Sequence, residues 1–217
     1  MSLPEELSEQ LLGSIIDGTY PPGAALPSEP ELAELFSMSR LTVREAVKAL
    51  RVQNVVRIER GRGTYVNPPA EWTSLHPMIR AATSPGADPE VVAGIHEARR
   101  MLESGIAELA TIKRTDADLR RLREQLRNMR EAGTPEAHAT AHIAFHQAIV
   151  RATGNAFVPL LFEPFMRLLA ELPVETDRGA IARHERLLTA IEAGDPAEAR
   201  RVMAAHLRSQ QNRPRTA

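Results

Sequence analysis

Apolar residues recur at helical spacing along almost the whole chain, and one short stretch interrupts this pattern. The interruption consists of two β-rich runs, residues 55–59 and 64–67, joined by the turn-forming sequence Arg60-Gly61-Arg62-Gly63. Clusters of Pro and Gly divide the remainder into separate helices. Such a chain buries its apolar faces mostly by packing helices against one another. We therefore expect a mainly α fold with a single β-hairpin.

The hairpin ends the first of two predicted domains. The length of 217 residues suits one large domain or two modest ones. Residues 1–68 are predicted to form a winged helix-turn-helix, with helices over 3–17, 29–36 and 40–53 and the hairpin as the wing. Residues 69–89 are predicted to be a linker with one short helix, and residues 90–212 a bundle of six antiparallel helices.

The composition is that of an ordinary globular protein, with 43% hydrophobic and 25% charged residues. No apolar run approaches the roughly 18 residues of a membrane span. The N-terminus carries Glu5, Glu6 and Glu9, which does not match a secretory signal. The absence of cysteine excludes disulfides and thiolate metal sites. We expect a cytoplasmic protein with no membrane partner.

Positive charge is concentrated in one part of the chain, although the formal net charge is only −1. Between Arg40 and Val66 there are seven Arg and Lys residues against two acidic ones. A surplus of this size over a short segment suits contact with phosphates. A solvated basic helix face would give the same pattern, so charge alone leaves both interpretations open.

The third predicted helix has two distinct sides. Its apolar residues must face a core, so Arg40, Arg44 and Lys48 project from the other side, with Thr42 near the start. Arginines early in such a helix can bind guanine edges in a major groove, while hydroxyls and wing glycines approach the phosphates. The predicted DNA-binding residues are Ser28, Ser39, Arg40, Thr42, Arg44, Lys48, Arg60, Gly61, Arg62 and Gly63.

Four histidines fall on the inward faces of three predicted bundle helices: His142, His146, His184 and His206. The first two are four residues apart and so project from one helix face. Taken singly, each would be a satisfied core residue, but a shared metal ion would serve all four. Nitrogen donors suit Zn or Ni, and the sequence does not choose between them. His138 lies one turn earlier and could substitute for a ligand.

The first bundle helix carries Arg99 on its apolar stripe, and a guanidinium in a core is costly unless it is paired. One interpretation is an ion pair with Glu103, one turn further along. The other is a clamp for a carboxylate ligand, because arginine binds carboxylates through two parallel hydrogen bonds. Asn155 is a second candidate for binding this effector, although an asparagine beside a helix end often serves only as a cap.

The first domain resembles the GntR family of bacterial transcription regulators. The matching stretches are "GTYPPGAALPSEPELAELFSMSRLTVREAVKAL" and "VVRIERGRGTYV". The resemblance implies that Arg40, Thr42 and Arg44 contact the operator, with Arg60 on the wing. Pro30 stands where the family usually has a DNA-contacting arginine, which implies a different operator sequence or affinity. Asn54 replaces a common glycine and must adopt an unusual backbone conformation.

The second domain resembles the FCD effector domain of the FadR subfamily. The supporting stretches are "HEARRMLESGIAELA", "HIAFHQAIVRATGN", "RHERLLTAIEAGD" and "RRVMAAHL". The resemblance implies a divalent metal held by one aspartate and three histidines, with an organic or sugar acid bound beside it. His146, His184 and His206 match these histidines, and His142 takes the place of the aspartate. The change makes the site all-histidine, or it weakens the site.

These observations predict a homodimeric transcription regulator, a repressor, that binds a pseudo-palindromic operator and responds to a carboxylate metabolite. One alternative is a regulator with a purely structural metal and no effector. The remote alternative is a metallohydrolase, because a histidine-bound metal can activate water. No acidic residue lies beside the histidines at a spacing suited to a general base, since Glu185 points away from His184. We therefore predict that the protein is not an enzyme.

Overall fold

The computed structural model describes residues 2–171 and 178–211, and the predicted limit at residue 212 lies outside this range. The chain divides into two units, Met1–Val91, here called the head, and Val92–Ala217. The elements in chain order are α1 (Leu3–Ile16), α2 (Glu29–Leu35), α3 (Arg40–Val52), β1 (Val56–Glu59), β2 (Gly63–Val66), α4 (Leu75–Thr83), α5 (Pro89–Lys113), α6 (Asp116–Glu131), α7 (Pro135–Ala152), α8 (Phe157–Glu171), α9 (Arg178–Ala193) and α10 (Pro196–Gln211).

Local caps determine where the helices of the head begin. Ser28 opens α2 in a capping box, in which its backbone N–H donates to the Glu31 carboxylate at 2.7 Å. Ser39 opens α3, and its hydroxyl accepts the backbone N–H of Thr42 at 3.1 Å. The apolar side of α3 packs on α1 around a common core formed by Leu7, Leu11, Leu12, Leu32, Val43, Ala46, Val47 and Leu50.

The predicted hairpin forms, and it pairs β1 with β2 in an antiparallel register from Val56 opposite Val66 to Glu59 opposite Gly63. Its tip requires glycine because Gly61 and Gly63 have φ values of 74° and 129°, which side chains disfavour. Asn54, in the turn between α3 and β1, takes a φ of 56°. The unusual backbone conformation expected at this asparagine is therefore confirmed.

Residues 69–89, predicted to be a linker with one short helix, contain the short helix α4 and a 3-10 turn. A single 3-10 turn, Pro69–Glu71, precedes α4, and Trp72 is buried in the core of the head. From α4, Arg80 contacts the Glu9 carboxylate of α1 at 2.6 Å and His76 contacts it at 2.8 Å. This segment therefore packs on the head, and the three domain boundaries drawn from the sequence remain predictions.

Six helices, α5 to α10, form the second unit, here called the bundle. Helix α6 packs on α7 and α9, α7 packs on α8, and α9 packs on α10. Their apolar stripes meet in a core that includes Ile106, Leu122, Phe145, Ile149, Phe162, Leu187, Ile191 and Met203. The predicted mainly α fold, with a winged helix-turn-helix and a helical bundle, is confirmed. Over the residues described, no helix combines the length and apolar character needed to cross a bilayer.

Candidate functional site

Four buried imidazoles from three helices meet inside the bundle. Helix α7 supplies His142 and His146, α9 supplies His184, and α10 supplies His206. Each contributes one ring nitrogen, and these four nitrogens all lie within 4.8 Å of one another. We call this group the histidine cluster. The helical spacing predicted from the sequence thus brings together all four residues that it singled out.

Polar contacts at the far side of two rings orient them. The Nδ1 of His184 donates to the backbone carbonyl of Ala180 at 2.8 Å, and the Nδ1 of His146 lies 3.0 Å from the Glu103 carboxylate. Both contacts leave the lone pair on Nε2. Among the described residues, neither of these Nε2 atoms nor Nδ1 of His142 has a hydrogen-bond partner. Buried nitrogens with unused lone pairs fit a metal ion.

Three imidazoles of the cluster are held in the neutral form by their surroundings. Burial, together with the neighbouring imidazoles and Arg99, holds the pKa values of His142 and His206 well below their usual range. Burial and His146 lower the pKa of His184 to about 3. A protonated imidazole has no lone pair to give, so these three residues are in the form that binds metal at neutral pH.

Arg99 and Glu103 form a buried ion pair beside the cluster, and each side chain is at most 2% exposed. Burial raises the pKa of Glu103, but Arg99 and His146 outweigh it and hold the pKa at about 2. This ion pair with Glu103 is the first of the two interpretations that the sequence left open for Arg99. It occupies only Nε, because within the described part of the chain Nη1 and Nη2 have no hydrogen-bond partner. A carboxylate clamp at this outer edge stays a prediction.

The contact of Glu103 with the histidine cluster is the feature of the site that the sequence did not reveal. Considered only as a partner for Arg99, Glu103 also contacts His146 and so connects the ion pair to the histidine cluster. An acidic residue one turn from a buried arginine was a visible signal. Its contact with α7, however, depends on how the helices pack.

Two other candidates lie in different surroundings. Asn155 is exposed, and its side-chain oxygen accepts the backbone N–H of Phe157 at 2.9 Å, as a cap does. Its role in effector binding stays a prediction. His138 is buried, but its Nδ1 bonds to the carbonyl of Met129 at 3.0 Å. It does not belong to the group of four nitrogens.

The predicted DNA-binding side chains of α3 lie on its exposed side. Arg40, Arg44 and Lys48 are exposed, as is Leu41, whereas Val43, Ala46 and Val47 are buried in the head. The Thr42 hydroxyl lies 2.8 Å from that of Ser39, which fixes both at the start of the helix. Lys48 is 3.3 Å from Glu45 in an exposed pair, which contributes little stability. Pro30 lies exposed in the first turn of α2.

The wing presents the second set of predicted contacts. Arg60, Gly61, Arg62 and Gly63 are all exposed at the tip. Tyr65, which the sequence analysis did not single out, lies beneath the guanidinium groups of Arg57 and Arg62, 5.4 and 5.8 Å from its ring centre. The ring therefore contacts two of the basic residues of the hairpin.

Comparisons with known proteins identify both units. A model of the FCD domain matches residues 94–209, and a model of the bacterial regulatory proteins of the gntR family matches residues 3–66. The chain belongs to the GntR family. This GntR chain is 36% identical over 208 residues to the HTH-type transcriptional regulator LutR of Bacillus subtilis (strain 168), spanning 89% of the chain and 92% of that protein.

Two further kinds of comparison, with another relative and with solved structures, are consistent with this family. It is 31% identical over 143 residues to the galactonate operon transcriptional repressor of Escherichia coli (strain K12), covering 65% of the chain and 62% of that protein. Among solved structures, Streptococcus agalactiae GntR superposes with a TM-score of 0.51 at 27% identity, over 97% of this chain and all of that one. Lar of Listeria monocytogenes superposes with a TM-score of 0.61 over 97% of this chain and 95% of that one. Because the two sequences are only 15% identical, this similarity concerns the fold alone.

Family membership determines the class of function. This GntR protein is a DNA-binding transcription regulator with an FCD domain, the combination predicted from the quoted motifs. The GntR relatives are regulators of transcription and not enzymes, which confirms that prediction as well.

Proposed function

We propose that this GntR regulator is a cytoplasmic homodimeric repressor, released from its operator when a small carboxylate binds beside a metal ion in the bundle. The convergence of four buried imidazole nitrogens within 4.8 Å supports the proposal most directly. His142, His146, His184 and His206 would hold the ion, and Zn or Ni suits an all-nitrogen donor set. When bound, the ion would supply a Lewis acid for one carboxylate oxygen.

The residues of the chain provide the rest of the effector site. The outer edge of Arg99 offers two buried N–H donor groups, which match the two oxygens of a carboxylate. Glu103 holds the other edge of Arg99 and so fixes the direction of the guanidinium. One relative is named a galactonate operon repressor, and galactonate is a carboxylate. An effector with different affinities for two arrangements of the dimer would shift their populations.

The head would bind the operator through α3 and the wing. Arg40 and Arg44 lie where a recognition helix enters the major groove, and Lys48 lies one turn further along. The wing residues Arg60 and Arg62 are placed to contact the sugar-phosphate backbone. Two heads related by a twofold axis would bind the two halves of a pseudo-palindrome.

Metal analysis tests the site itself. The double variant His184→Ala/His206→Ala removes two of the four donors, so we expect it to lose stoichiometric metal after zinc loading and dialysis. His76→Ala is a control, because His76 pairs with Glu9 in the head. Metal content is measured by mass spectrometry and folding by circular dichroism. A folded double variant that keeps one metal per chain would disprove the coordination.

The DNA interface is tested by replacing Arg44 with Ala. We expect at least a ~10-fold loss of affinity for DNA selected from a random library with the wild-type protein, because a bidentate guanine contact is lost. Metal content should be unchanged. Arg121→Ala, an exposed arginine on α6, is the matched control. Unchanged binding of Arg44→Ala in gel-shift assays would disprove the role of this residue.

A regulator with a purely structural metal remains the alternative to test. Scanning calorimetry with a panel of carboxylates, before and after chelation of the metal, distinguishes an effector-binding metal from a structural one. The proposal requires at least one acid to raise the unfolding temperature of the metal-loaded protein and to have no such effect after chelation. If no acid does so, the metal is structural.

A further inference from the structure

The charges buried around the histidine cluster nearly cancel. Among the described residues of the bundle, the buried ionisable side chains are five histidines and the pair Arg99 and Glu103. The four imidazoles of the cluster are neutral when they act as metal donors. Arg99 and Glu103 neutralise each other through their ion pair. No buried carboxylate of the described chain is therefore left to balance a metal.

A divalent cation would bring two uncompensated positive charges into this interior. Buried charge without a counterion is strongly unfavourable, so compensation would have to come from the ligand. A monocarboxylate neutralises one charge, whereas a dicarboxylate neutralises both. The donor set thus favours a ligand that carries two negative charges.

Arg99 provides a second place for a carboxylate to bind. Its Nη1 and Nη2 atoms are buried without a hydrogen-bond partner in the described part of the chain, while Nε is held by Glu103. The residue also lies close enough for its charge to act on the imidazoles of His142 and His206. A two-donor edge beside the cluster matches one carboxylate, and the ion would bind the other.

We propose that the effector of this regulator is a small dicarboxylate, bound by one carboxylate at the ion and by the other at Arg99. The inference rests on the proposed function and specifies the charge of the ligand for the same site. Because each added unit of opposite charge acts in a poorly hydrated interior, its effect on affinity should exceed that of a surface contact.

Matched pairs of ligands test this inference on the zinc-loaded full-length protein. Succinate is compared with succinamate, and glutarate with glutaramate, because the amide keeps the shape and removes one charge. We expect the diacid of at least one pair to bind at least ~10-fold more tightly in isothermal titration calorimetry. Zinc content is measured after each titration, since a diacid that merely removes the metal would overturn the inference.

A variant that changes the charge of the donor set provides the second test. His142→Asp would add one negative donor, so the preference for the diacid over its amide should fall at least ~5-fold while zinc is retained. Glu108→Gln is the control, because it removes a charge on the surface of α5, where Glu108 pairs with the exposed Arg200. Its preference should equal that of the wild type.

The outcomes separate this inference from the proposed function. If monoacids such as gluconate bind the zinc-loaded protein and diacids do not bind more tightly, the inference is wrong and a carboxylate effector stands. An unchanged preference in His142→Asp also overturns it. If no acid of either kind binds, the proposed effector site itself is wrong, and the inference fails with it.

Discussion

The buried side chain of Glu103 contacts both Arg99 and the histidine cluster. One of its oxygens bonds to Arg99 and the other lies 3.0 Å from Nδ1 of His146. A carboxylate behind a ligating imidazole keeps the proton on the rear nitrogen and the ring in place. The same residue keeps the charge of Arg99 from being buried alone.

Replacing Glu103 with Gln should therefore weaken two properties at once. Affinity for zinc should fall about 10–100-fold, because the amide can donate to Nδ1 and so place the imidazole proton on the metal-facing Nε2. The free energy of unfolding should fall by about 3–5 kcal/mol, because Arg99 is left buried without a counterion. Chelator competition and urea unfolding measure the two effects. Glu108→Gln, on the surface of the same helix, should change neither, and an identical result for both variants would refute this role.

The lowered pKa values of His142, His184 and His206 make the metal-free protein sensitive to acid. His184, with a pKa of about 3 in the folded state, takes up no proton as the pH falls below the ordinary histidine pKa of 6.5, whereas the unfolded chain does. Stability should therefore be full above that pH and decrease below it, by about 1.4 kcal/mol per pH unit for each such histidine. Urea unfolding of the chelated protein between pH about 7 and about 5 measures the slope. The variant His184→Gln should reduce the slope of stability against pH by the equivalent of one proton. If the variant and the wild type have the same slope, this explanation is wrong.

At the scale of single elements, Asn67 joins the wing to the rest of the head. Its buried amide donates to the carbonyl of Asn54 at 2.9 Å and accepts from Arg57 at 2.9 Å. Its backbone carbonyl accepts the indole N–H of Trp72 at 3.1 Å. The base of the hairpin, the turn after α3 and the start of the following segment thus meet at one residue.

Replacing Asn67 with Ala should loosen this junction. The change leaves buried partners unsatisfied, so the head should lose about 1–3 kcal/mol of unfolding free energy, measured by urea denaturation. Asn128→Ala, an exposed asparagine on α6, is the control and should have little effect. If both variants unfold alike, the contacts at Asn67 do not stabilise the wing.

Elements governed by local chemistry could be predicted from the sequence, and their packing could not. Thr115 and Thr134 cap α6 and α7, and such a cap can be read from the sequence because it depends on residues three positions apart. The burial of Trp72 and the contacts of α4 with Glu9 could not be predicted, because both depend on tertiary packing. The contacts with Glu9 join residues more than 60 positions apart. Helical spacing placed the four histidines on the inward faces of their helices, whereas the contact between Glu103 and His146 joins α5 to α7 and cannot be read from spacing.

At the scale of the whole molecule, the proposed dimer makes a prediction about the operator. Two heads related by a twofold axis contact half-sites on one face of the duplex, about 10 base pairs or a multiple of that apart. Inserting about 5 base pairs between the half-sites should weaken binding at least ~10-fold in gel-shift assays, because it turns one half-site to the opposite face. An insertion of about 10 should restore part of the affinity. Binding that ignores the spacing would indicate that single heads bind independently.

The chain contains one tryptophan and two tyrosines, and all three, Trp72, Tyr20 and Tyr65, lie in the head. The indole of Trp72 is buried and bonded to Asn67. Tryptophan and tyrosine fluorescence of this protein therefore comes from the head, while the bundle, which holds the histidine cluster, contributes none of it. A carboxylate ligand that binds in the bundle of the unlabelled protein therefore changes this fluorescence only if its effect reaches the DNA-binding head.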